Sequence, residues 1–343
     1  MHGKKTLLTS QWGGPPGPRG SPWSRRVSMR SVSSQLEQAD AGVGRGPGGP
    51  PHNLIRCSVV GAVCFLLASA AWSADFSGKN ALEYTRKAVA FGPRPPASPA
   101  NLKLQAYIQS QLKLLRCQVS VDAFTATTPI GAVAMRNIIA RFPGTTGRAV
   151  AITGHFDTKS IPGSPFVGAN DGGTSTGLLL ELARVVNSMP HSNDIYLIWF
   201  DGEEAYGEWS DTNGIYGSRH LAEKWTQDGT LSHLTALINV DMIGDVNLGI
   251  MQEGNSALSL LHLVWQTATE LGYGKYFLDE GFATEDDHLP FLNKGVRALD
   301  LIDFDYGPNN EYWHTAKDSM DKISAHSLDV VGNVLVAVLR KLQ

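Results

Sequence analysis

Apolar residues along this chain fall into two patterns, short uninterrupted runs and longer stretches with helical spacing. Residues 195–200 form a β-branched and aromatic run without a charge, which is typical of a strand buried on both faces of a mostly parallel sheet. Similar runs predict strands at 137–142, 149–153, 234–240 and 297–303. Helical spacing predicts helices at 82–90, 102–115, 178–186, 218–225, 258–271 and 328–342. This alternation indicates an α/β domain.

Side chains that can bind metals stand at the ends of three predicted strands. His155 follows the strand at 149–153, and Asp241 follows the strand at 234–240. Glu203 and Glu204 come soon after the run at 195–200. The carboxyl ends of parallel strands meet at one edge of a sheet, where open α/β folds bind ligands. A lone acid after a strand is usually a solvated cap, but three such positions at one edge favour a functional site.

The candidate residues have the chemistry of a metal site without cysteine. Zinc binds histidine nitrogen and carboxylate oxygen, and catalytic zinc keeps one position open. The side chains that fit this preference are His155, Asp171, Glu204, Asp241 and His314. The sequence therefore predicts a zinc site at the carboxyl edge of the sheet.

Two short-range relationships suggest how the site is arranged. If the strand continues past His155, then Asp157 points to the same face and we expect it to accept the ring proton of His155. Glu203 and Glu204 are adjacent, so their side chains diverge and should not share one role. We assign Glu204 to the metal and Glu203 to proton transfer.

The first 74 residues differ in composition from the rest of the chain. Residues 1–53 are rich in Gly, Pro, Ser and Arg without an apolar period, which predicts a disordered leader. Residues 54–74 combine Arg56, a short apolar core and small residues before Asp75, which is typical of a secretory signal peptide. A single membrane anchor is the alternative. We therefore expect a secreted or periplasmic catalytic domain at 75–343, no stable membrane insertion after cleavage, and translation starting close to Leu54.

Composition excludes some partners and covalent links. The chain has 29 Lys and Arg against 32 Asp and Glu, a net charge of -3, and no basic stripe, so we expect no nucleic-acid partner. Cys57 and Cys64 lie in the apolar N-terminal segment, which leaves Cys117 alone in the predicted domain. No disulfide can form within that domain, and Cys117 is expected to be a small core residue.

Five motifs in order resemble the zinc aminopeptidases that hold a co-catalytic metal pair. They are HFD at 155–157, NDG at 170–172, DGEE at 201–204, NVDMIG at 239–244 and WHT at 313–315. Four longer segments are similar to the zinc-dependent glutaminyl cyclases of animals: EEAYGEWS at 203–210, IYGSRHLA at 215–222, DDHLPF at 286–291 and EYWHT at 311–315. The resemblance extends from about residue 80 to the C-terminus. It implies a three-layer sandwich with a mixed, mostly parallel central sheet flanked by helices.

The resemblance also implies a role for each matching residue. Asp171, Glu204 and His314 would bind a single zinc, while His155 and Asp241 would be the unfilled remainder of a second metal site. Glu203 would be the proton shuttle, Asp241 and Asp286 an acidic network beside it, and Trp209 and Trp313 walls of the substrate pocket. A disulfide of some animal enzymes has no counterpart, because Gly154 and Thr176 stand where its cysteines would be.

The implied reaction converts N-terminal glutamine of peptides or proteins to pyroglutamate with release of ammonia. The alternative from the same fold is a zinc aminopeptidase, which would use an activated water and two zinc ions instead of one. A third hypothesis is a non-catalytic ectodomain that keeps the fold for binding. Such a protein would be expected to lose ligands or the proton shuttle, and none is missing here. The oligomeric state is left open by the sequence.

Overall fold

A six-stranded sheet forms the centre of the protein in the computed structural model, which describes residues 75–343. The strands are β1 (Gln118–Thr128), β2 (Gly131–Phe142), β3 (Ala149–His155), β4 (Asp194–Phe200), β5 (Leu234–Asp241), β6 (Ile250–Glu253), β7 (Phe277–Phe282) and β8 (Ala298–Ile302). The order of the central sheet is β1-β2-β4-β3-β5-β8. β4, β3, β5 and β8 are parallel, whereas β2 is antiparallel to β1 and β4. The predicted mixed, mostly parallel sheet is confirmed.

Strand β4 has one parallel neighbour, β3, and one antiparallel neighbour, β2, as the expected mixed sheet allows. Three strands were not predicted from the sequence. β1 was not predicted, because most of its residues are polar or small and exposed, so it contains no apolar run. β6 and β7, which pair with each other in a separate small sheet, were also missed because they are short and only partly buried.

Seven helices flank the sheet in the described part of the chain. They are α1 (Gly78–Val89), α2 (Pro99–Leu112), α3 (Gly173–Val186), α4 (Tyr216–Gln227), α5 (Leu258–Glu270), α6 (Leu289–Leu292) and α7 (Ala325–Lys341). The predicted helices are confirmed with shifted ends. Helix α2 begins before the apolar spacing does, because Ser98 accepts a hydrogen bond from the Asn101 amide and Pro99 occupies the first turn.

The two faces of the sheet bury different sets of side chains, as a three-layer sandwich requires. Along β4, Leu197 and Trp199 join the larger core with α1, α2, α3, α5 and α7. The alternate residues Ile198 and Phe200 join a smaller core with α4 and α6. Side chains of a strand alternate between faces, so a fully apolar strand is needed where helices cover both faces. The predicted three-layer fold is confirmed.

The predicted leader at 1–53 and signal peptide at 54–74 lie outside the described residues. Within residues 75–343, none of the helices has the length and apolar character needed to cross a membrane.

Candidate active site

Three side chains from separate loops converge beyond the carboxyl ends of the parallel strands. Asp171 precedes α3, Glu204 follows β4, and His314 lies before α7. The His314 Nε2 atom is 3.1 Å from Glu204 Oε2 and 3.4 Å from Asp171 Oδ2. Ligand atoms of a tetrahedral zinc with bonds of about 2.0–2.1 Å are about 3.3 Å apart. The spacing of these three groups therefore fits one zinc ion.

Asp171 shows a further sign of a metal position. Its side chain is 4% exposed, and Oδ2 has no hydrogen-bond donor among residues 75–343. A buried carboxylate oxygen without a donor is costly unless a cation compensates it. Its backbone is held by Asp318, whose carboxylate accepts hydrogen bonds from the amides of Asn170 and Asp171 at 2.8 and 3.2 Å. The sequence analysis did not identify Asp318.

A second group that could hold a metal shares Asp171 with the first. It consists of His155, Asp171 and Asp241. The His155 Nε2 atom is 3.2 Å from Asp171 Oδ1 and 3.1 Å from Asp241 Oδ1. Asp171 thus directs one oxygen toward each group, as a carboxylate that bridges two metals would.

The contact predicted between His155 and Asp157 differs in the structure. His155 Nδ1 is 3.5 Å from Asp157 Oδ1 without hydrogen-bond geometry, and it has no hydrogen-bond partner among residues 75–343. Asp157 instead accepts hydrogen bonds from the amides of Glu203 at 3.1 Å and Glu204 at 3.4 Å. The carboxylate lies closer to these backbone donors, and so it fixes the turn that carries the two glutamates.

Glu203 and Glu204 are separated as predicted. Glu204 is buried, and its Oε1 accepts a hydrogen bond from the Lys159 amide at 2.9 Å while Oε2 faces His314. Glu203 is half-buried and lines the cavity. Burial, with the neighbouring carboxylates Glu204 and Asp286, raises the pKa of Glu203, and the charge of His155 lowers it. A glutamate whose pKa is raised in this way is suited to take up and release a proton.

A cavity of about 350 Å³ brings the predicted site residues together. Of the nine candidate residues, eight line it: Asp171, Glu203, Glu204, Trp209, Asp241, Asp286, Trp313 and His314. His155 lies behind this surface in contact with Asp171 and Asp241. Lys159, Glu285 and Phe304 also line the cavity and were not identified from the sequence, which carries no motif that singles them out.

Aromatic contacts fix the second tryptophan wall of the cavity. The Trp313 ring stacks on His314 with centroids 4.0 Å apart, and it meets Phe304 edge-on at 5.1 Å. The backbone of His314 is left-handed, with φ of 54°, which turns the two successive rings to the same side. The metal-site geometry and the pocket wall are thus physically connected through this pair.

At Gly154, one of the two positions predicted to lack a disulfide, a side chain would clash with its neighbours. A Cβ atom at Gly154 would lie 2.7 Å from both Ser175 Cβ and the Val240 carbonyl oxygen. Thr176 donates its hydroxyl to the Gly172 carbonyl at 2.7 Å. Cys117 is a free cysteine that packs half-buried against the larger core, whereas it was expected to lie within a core.

Comparison with known proteins places this geometry in a family. Residues 137–339 match the model of peptidase family M28. The glutaminyl-peptide cyclotransferase of Drosophila melanogaster is 30% identical over 263 residues, which are 69% of this chain and 73% of that protein. The structure of an Acidobacteriales bacterium glutaminyl cyclase is 42% identical, with a TM-score of 0.76, covering 78% of this chain and 95% of that one.

A solved structure of a protein named as an exopeptidase is also similar to this chain. A Zn-dependent exopeptidase from Parabacteroides distasonis is 29% identical with a TM-score of 0.71, and the match covers 78% of this chain and 99% of that one. The resemblance read from the motifs is confirmed by the curated relatives and the solved glutaminyl cyclases together. The chain belongs to peptidase family M28 and, within it, to the glutaminyl-peptide cyclotransferases.

Proposed function

We propose that this enzyme cyclises N-terminal glutamine of peptides or proteins with zinc held by Asp171, Glu204 and His314. The observation that carries the assignment is the spacing of those three side chains beside Glu203 in one aromatic-walled cavity. When bound, zinc would act as a Lewis acid on the side-chain amide oxygen of the substrate. One ion is expected, and the group that includes His155 and Asp241 leaves a second ion as the alternative.

The side chains of the cavity would orient the substrate and transfer its protons. The α-amine of glutamine attacks its own side-chain amide carbon, a C–N bond forms, and the bond to the amide nitrogen breaks to release ammonia. Glu203 takes a proton from the attacking amine and gives one to the departing nitrogen. Asp241 and Asp286 would form an acidic hydrogen-bond network beside Glu203. Trp209 and Trp313 enclose the bent side chain and hold nucleophile and electrophile together, which supplies much of the rate.

A zinc aminopeptidase is the second candidate function. It is favoured by the second potential metal group of His155, Asp171 and Asp241 and by the similarity to a protein named as an exopeptidase. Hydrolysis needs an activated water between metals, whereas cyclisation needs water kept away from the amide. The two reactions are therefore separable by product and by metal content.

One parallel assay tests both functions. Purified protein is given a glutaminyl peptide and a leucyl amide, ammonia and released amine are measured, and zinc per chain is determined. Ammonia from the glutaminyl peptide with about one zinc supports the cyclase. Rapid release of amine from the leucyl amide with two zinc ions, and no ammonia, would overturn it.

We also propose that the catalytic domain at 75–343 is delivered to the periplasm or secreted by cleavage of a signal peptide at 54–74, with the tract at 1–53 left out of the translated protein. The sequence pattern around Arg56 and Asp75 supports this. Amino-terminal sequencing of the precursor and of the mature protein tests both parts. Peptides from before residue 53 in the precursor would contradict the start near Leu54, and an uncleaved apolar segment would indicate a membrane anchor.

A further inference from the structure

The most exposed part of the cavity wall is the loop that follows the two adjacent glutamates. Among the described residues that line the cavity, only Gly207 and Glu208 are exposed, and the others are buried or half-buried. In the proposed reaction the glutamine side chain reaches inward to the metal position, so the rest of the peptide has to leave the cavity. The open side of the wall directs it past Glu208.

A surface groove shares Glu208 with the cavity. One of its walls is the turn between β1 and β2, and the other is the loop at 206–213. The residues that line it are Thr127, Thr128, Pro129, Tyr206, Glu208, Ser210, Thr212 and Asn213. Its volume of about 660 Å³ falls within the range of about 300–1,000 Å³ that is usual for ligand clefts. A peptide that leaves the cavity at Glu208 therefore meets a concave surface.

Hydrogen bonds hold both walls of the groove in shape. Asn213 is buried, and its side-chain amide donates to the carbonyl oxygens of Tyr206 at 2.9 Å and Glu208 at 2.5 Å. Its Oδ1 accepts a hydrogen bond from the Tyr206 amide at 3.0 Å. In the opposite wall, the Thr128 hydroxyl donates to the Gly131 carbonyl oxygen at 2.7 Å. The groove is therefore formed before a peptide binds, which lowers the entropic cost of binding.

Glu208 is the one charged residue among those that line the groove. Its carboxylate forms no hydrogen bond or ion pair with the side chains and amides of residues 75–343. Other charged groups of the cavity are engaged within the protein: the Lys159 ammonium lies 3.7 Å from Glu204 Oε2, and the Glu285 carboxylate accepts from the Trp209 indole. The charge of Glu208 is therefore available to a ligand.

The arginine that contacts this loop does not neutralise Glu208. The Arg219 guanidinium donates to the carbonyl oxygens of Asp211 and Gly214, and it lies 5.5 Å from the centre of the Tyr216 ring. The loop thus presents an unpaired carboxylate where the groove and the cavity meet. Such a group attracts a cationic side chain of a ligand and repels an anionic one.

We propose that the residues after the N-terminal glutamine bind in this groove, and that Glu208 selects peptides with lysine or arginine at the second or third position. The inference rests on the proposed function, because the glutamine has to occupy the cavity first. An extended peptide advances by about 3.3–3.6 Å per residue, so the residues directly after the glutamine pass the shared wall at Glu208.

Peptides that differ only at the second position test the selection. Gln-Lys-Ala-Ala amide and Gln-Glu-Ala-Ala amide are compared with glutaminamide, which has no residue to place in the groove, and ammonia release by the zinc-loaded protein gives kcat/KM for each. We expect the lysine peptide to be preferred over the glutamate peptide by about tenfold, because attraction and repulsion at an exposed carboxylate each change the rate by up to about fivefold. Added salt should weaken this preference.

Variants at two acidic positions of the same loop separate a local contact from overall charge. Glu208→Gln keeps the shape of the side chain without its charge, and it should lower the preference to about threefold or less. Glu208→Lys should favour the glutamate peptide instead. The matched control is Asp211→Asn, which removes the same charge from an exposed residue that lines neither the groove nor the cavity. It should retain the preference of the wild type.

A variant that fills the groove tests where the peptide lies. Thr212 is exposed and lines the groove, so Thr212→Trp places a large ring in the path of the peptide. We expect KM for both tetrapeptides to rise by about threefold or more relative to KM for glutaminamide. Turnover of glutaminamide by the same preparation shows that the variant is folded.

Three results would overturn the inference: an unchanged preference in Glu208→Gln, an equal loss of preference in Asp211→Asn, or an unchanged ratio of KM values in Thr212→Trp. A wild-type protein that cyclises glutaminamide but treats the two tetrapeptides alike would contradict the selection by Glu208 and leave the proposed function intact. A wild-type protein that releases no ammonia from any of the three substrates would contradict the proposed function, and the inference would fall with it.

Discussion

The indole Nε1 of Trp209 donates a hydrogen bond to Oε2 of Glu285 across 2.8 Å. Trp209 belongs to the loop that follows β4 and the two glutamates, whereas Glu285 directly precedes Asp286. Both side chains line the cavity. The bond therefore ties the tryptophan wall to the segment that carries the acidic network, so the pocket is held in shape before a substrate arrives.

Removing the acceptor at Glu285 should loosen the Trp209 wall without affecting the metal position. Glu285→Ala leaves the indole N–H unpaired, and we expect KM for glutaminyl peptides to rise by about fivefold to tenfold, because a hydrogen bond to a charged group contributes about 1.5 kcal/mol or more. Glu285→Gln retains an acceptor oxygen and should stay closer to the wild type. The measurements are steady-state kinetics and the emission spectrum of tryptophan. Equal kinetics for the two variants would show that the bond does not hold the wall.

Substitutions of the two adjacent glutamates should impair the enzyme in different ways. Glu203→Gln keeps the shape of the side chain but cannot move a proton, so we expect zinc to stay bound while turnover falls by about 10²-fold to 10⁴-fold. Glu204→Gln replaces a proposed metal ligand by a weaker one and should lower zinc content first. Zinc per chain and ammonia release, measured on the same samples, distinguish them. Loss of zinc in Glu203→Gln would reverse the two assignments.

Metal removal tests the ligand set and the number of ions. Dialysis against a chelator should abolish ammonia release and lower the melting temperature, since a ligand at 100 times its dissociation constant stabilises the folded state by about 2.7 kcal/mol. Zinc should restore both. Replacing Asp171 by Ala should remove all zinc because its two oxygens serve both potential metal groups.

The matched variant Asp241→Asn touches only the second group of potential ligands. With one zinc per chain, its zinc content should equal that of the wild type. A fall from two ions to one would establish the second site and favour the peptidase alternative. Full activity in metal-free protein would contradict a metal role altogether.

The sequence predicted residues that end an apolar run or belong to a motif, and it missed residues whose role comes from long-range contacts. His155, Glu204 and Asp241 could be placed because the strands before them are mostly apolar and buried. Asp318 could not be placed, since it lies 147 residues from the amide of Asp171 that it holds. The role of Asp157 was misjudged because alternation along a strand gives the direction of a side chain but not which donor is nearer.

Asp300 shows the same limit inside an element that was predicted. The strand at 297–303 was expected from its apolar residues. Asp300 is a polar residue inside this strand, and the sequence does not show which residues form hydrogen bonds with it. Its hydrogen-bond partners Asn239 and Ser256 come from two other segments, so only the packed fold shows them. Edge strands such as β1 were missed for a different reason, because exposure removes the apolar pattern on which prediction depends.

Arg94 is a fully buried cation that ties the loop between β3 and α3 to the start of the domain. Its guanidinium donates to the carbonyl oxygens of Phe156 at 3.2 Å, Val167 at 2.6 Å and Gly168 at 3.1 Å, and also to that of Gly92. Burial lowers the pKa of Arg94 to about 10, and Asp318, Asp157 and Asp171 oppose this, so the group stays charged at neutral pH. The loop it holds leads directly into Asp171, a proposed metal ligand.

Replacing Arg94 by Lys should therefore destabilise the protein and weaken zinc binding together. A lysine has no planar fork and cannot reach all four carbonyl oxygens, and each buried acceptor left without a donor costs about 1–3 kcal/mol. We expect the free energy of unfolding in urea to fall by about 2–4 kcal/mol. The control is Arg86→Lys, an exposed arginine on α1 that pairs with Glu83 at 3.6 Å, where the change should stay within about 0.5 kcal/mol. Zinc titration of both variants measures the second effect. Arg94→Lys with the urea midpoint and zinc affinity of Arg86→Lys would show that the loop does not depend on this guanidinium.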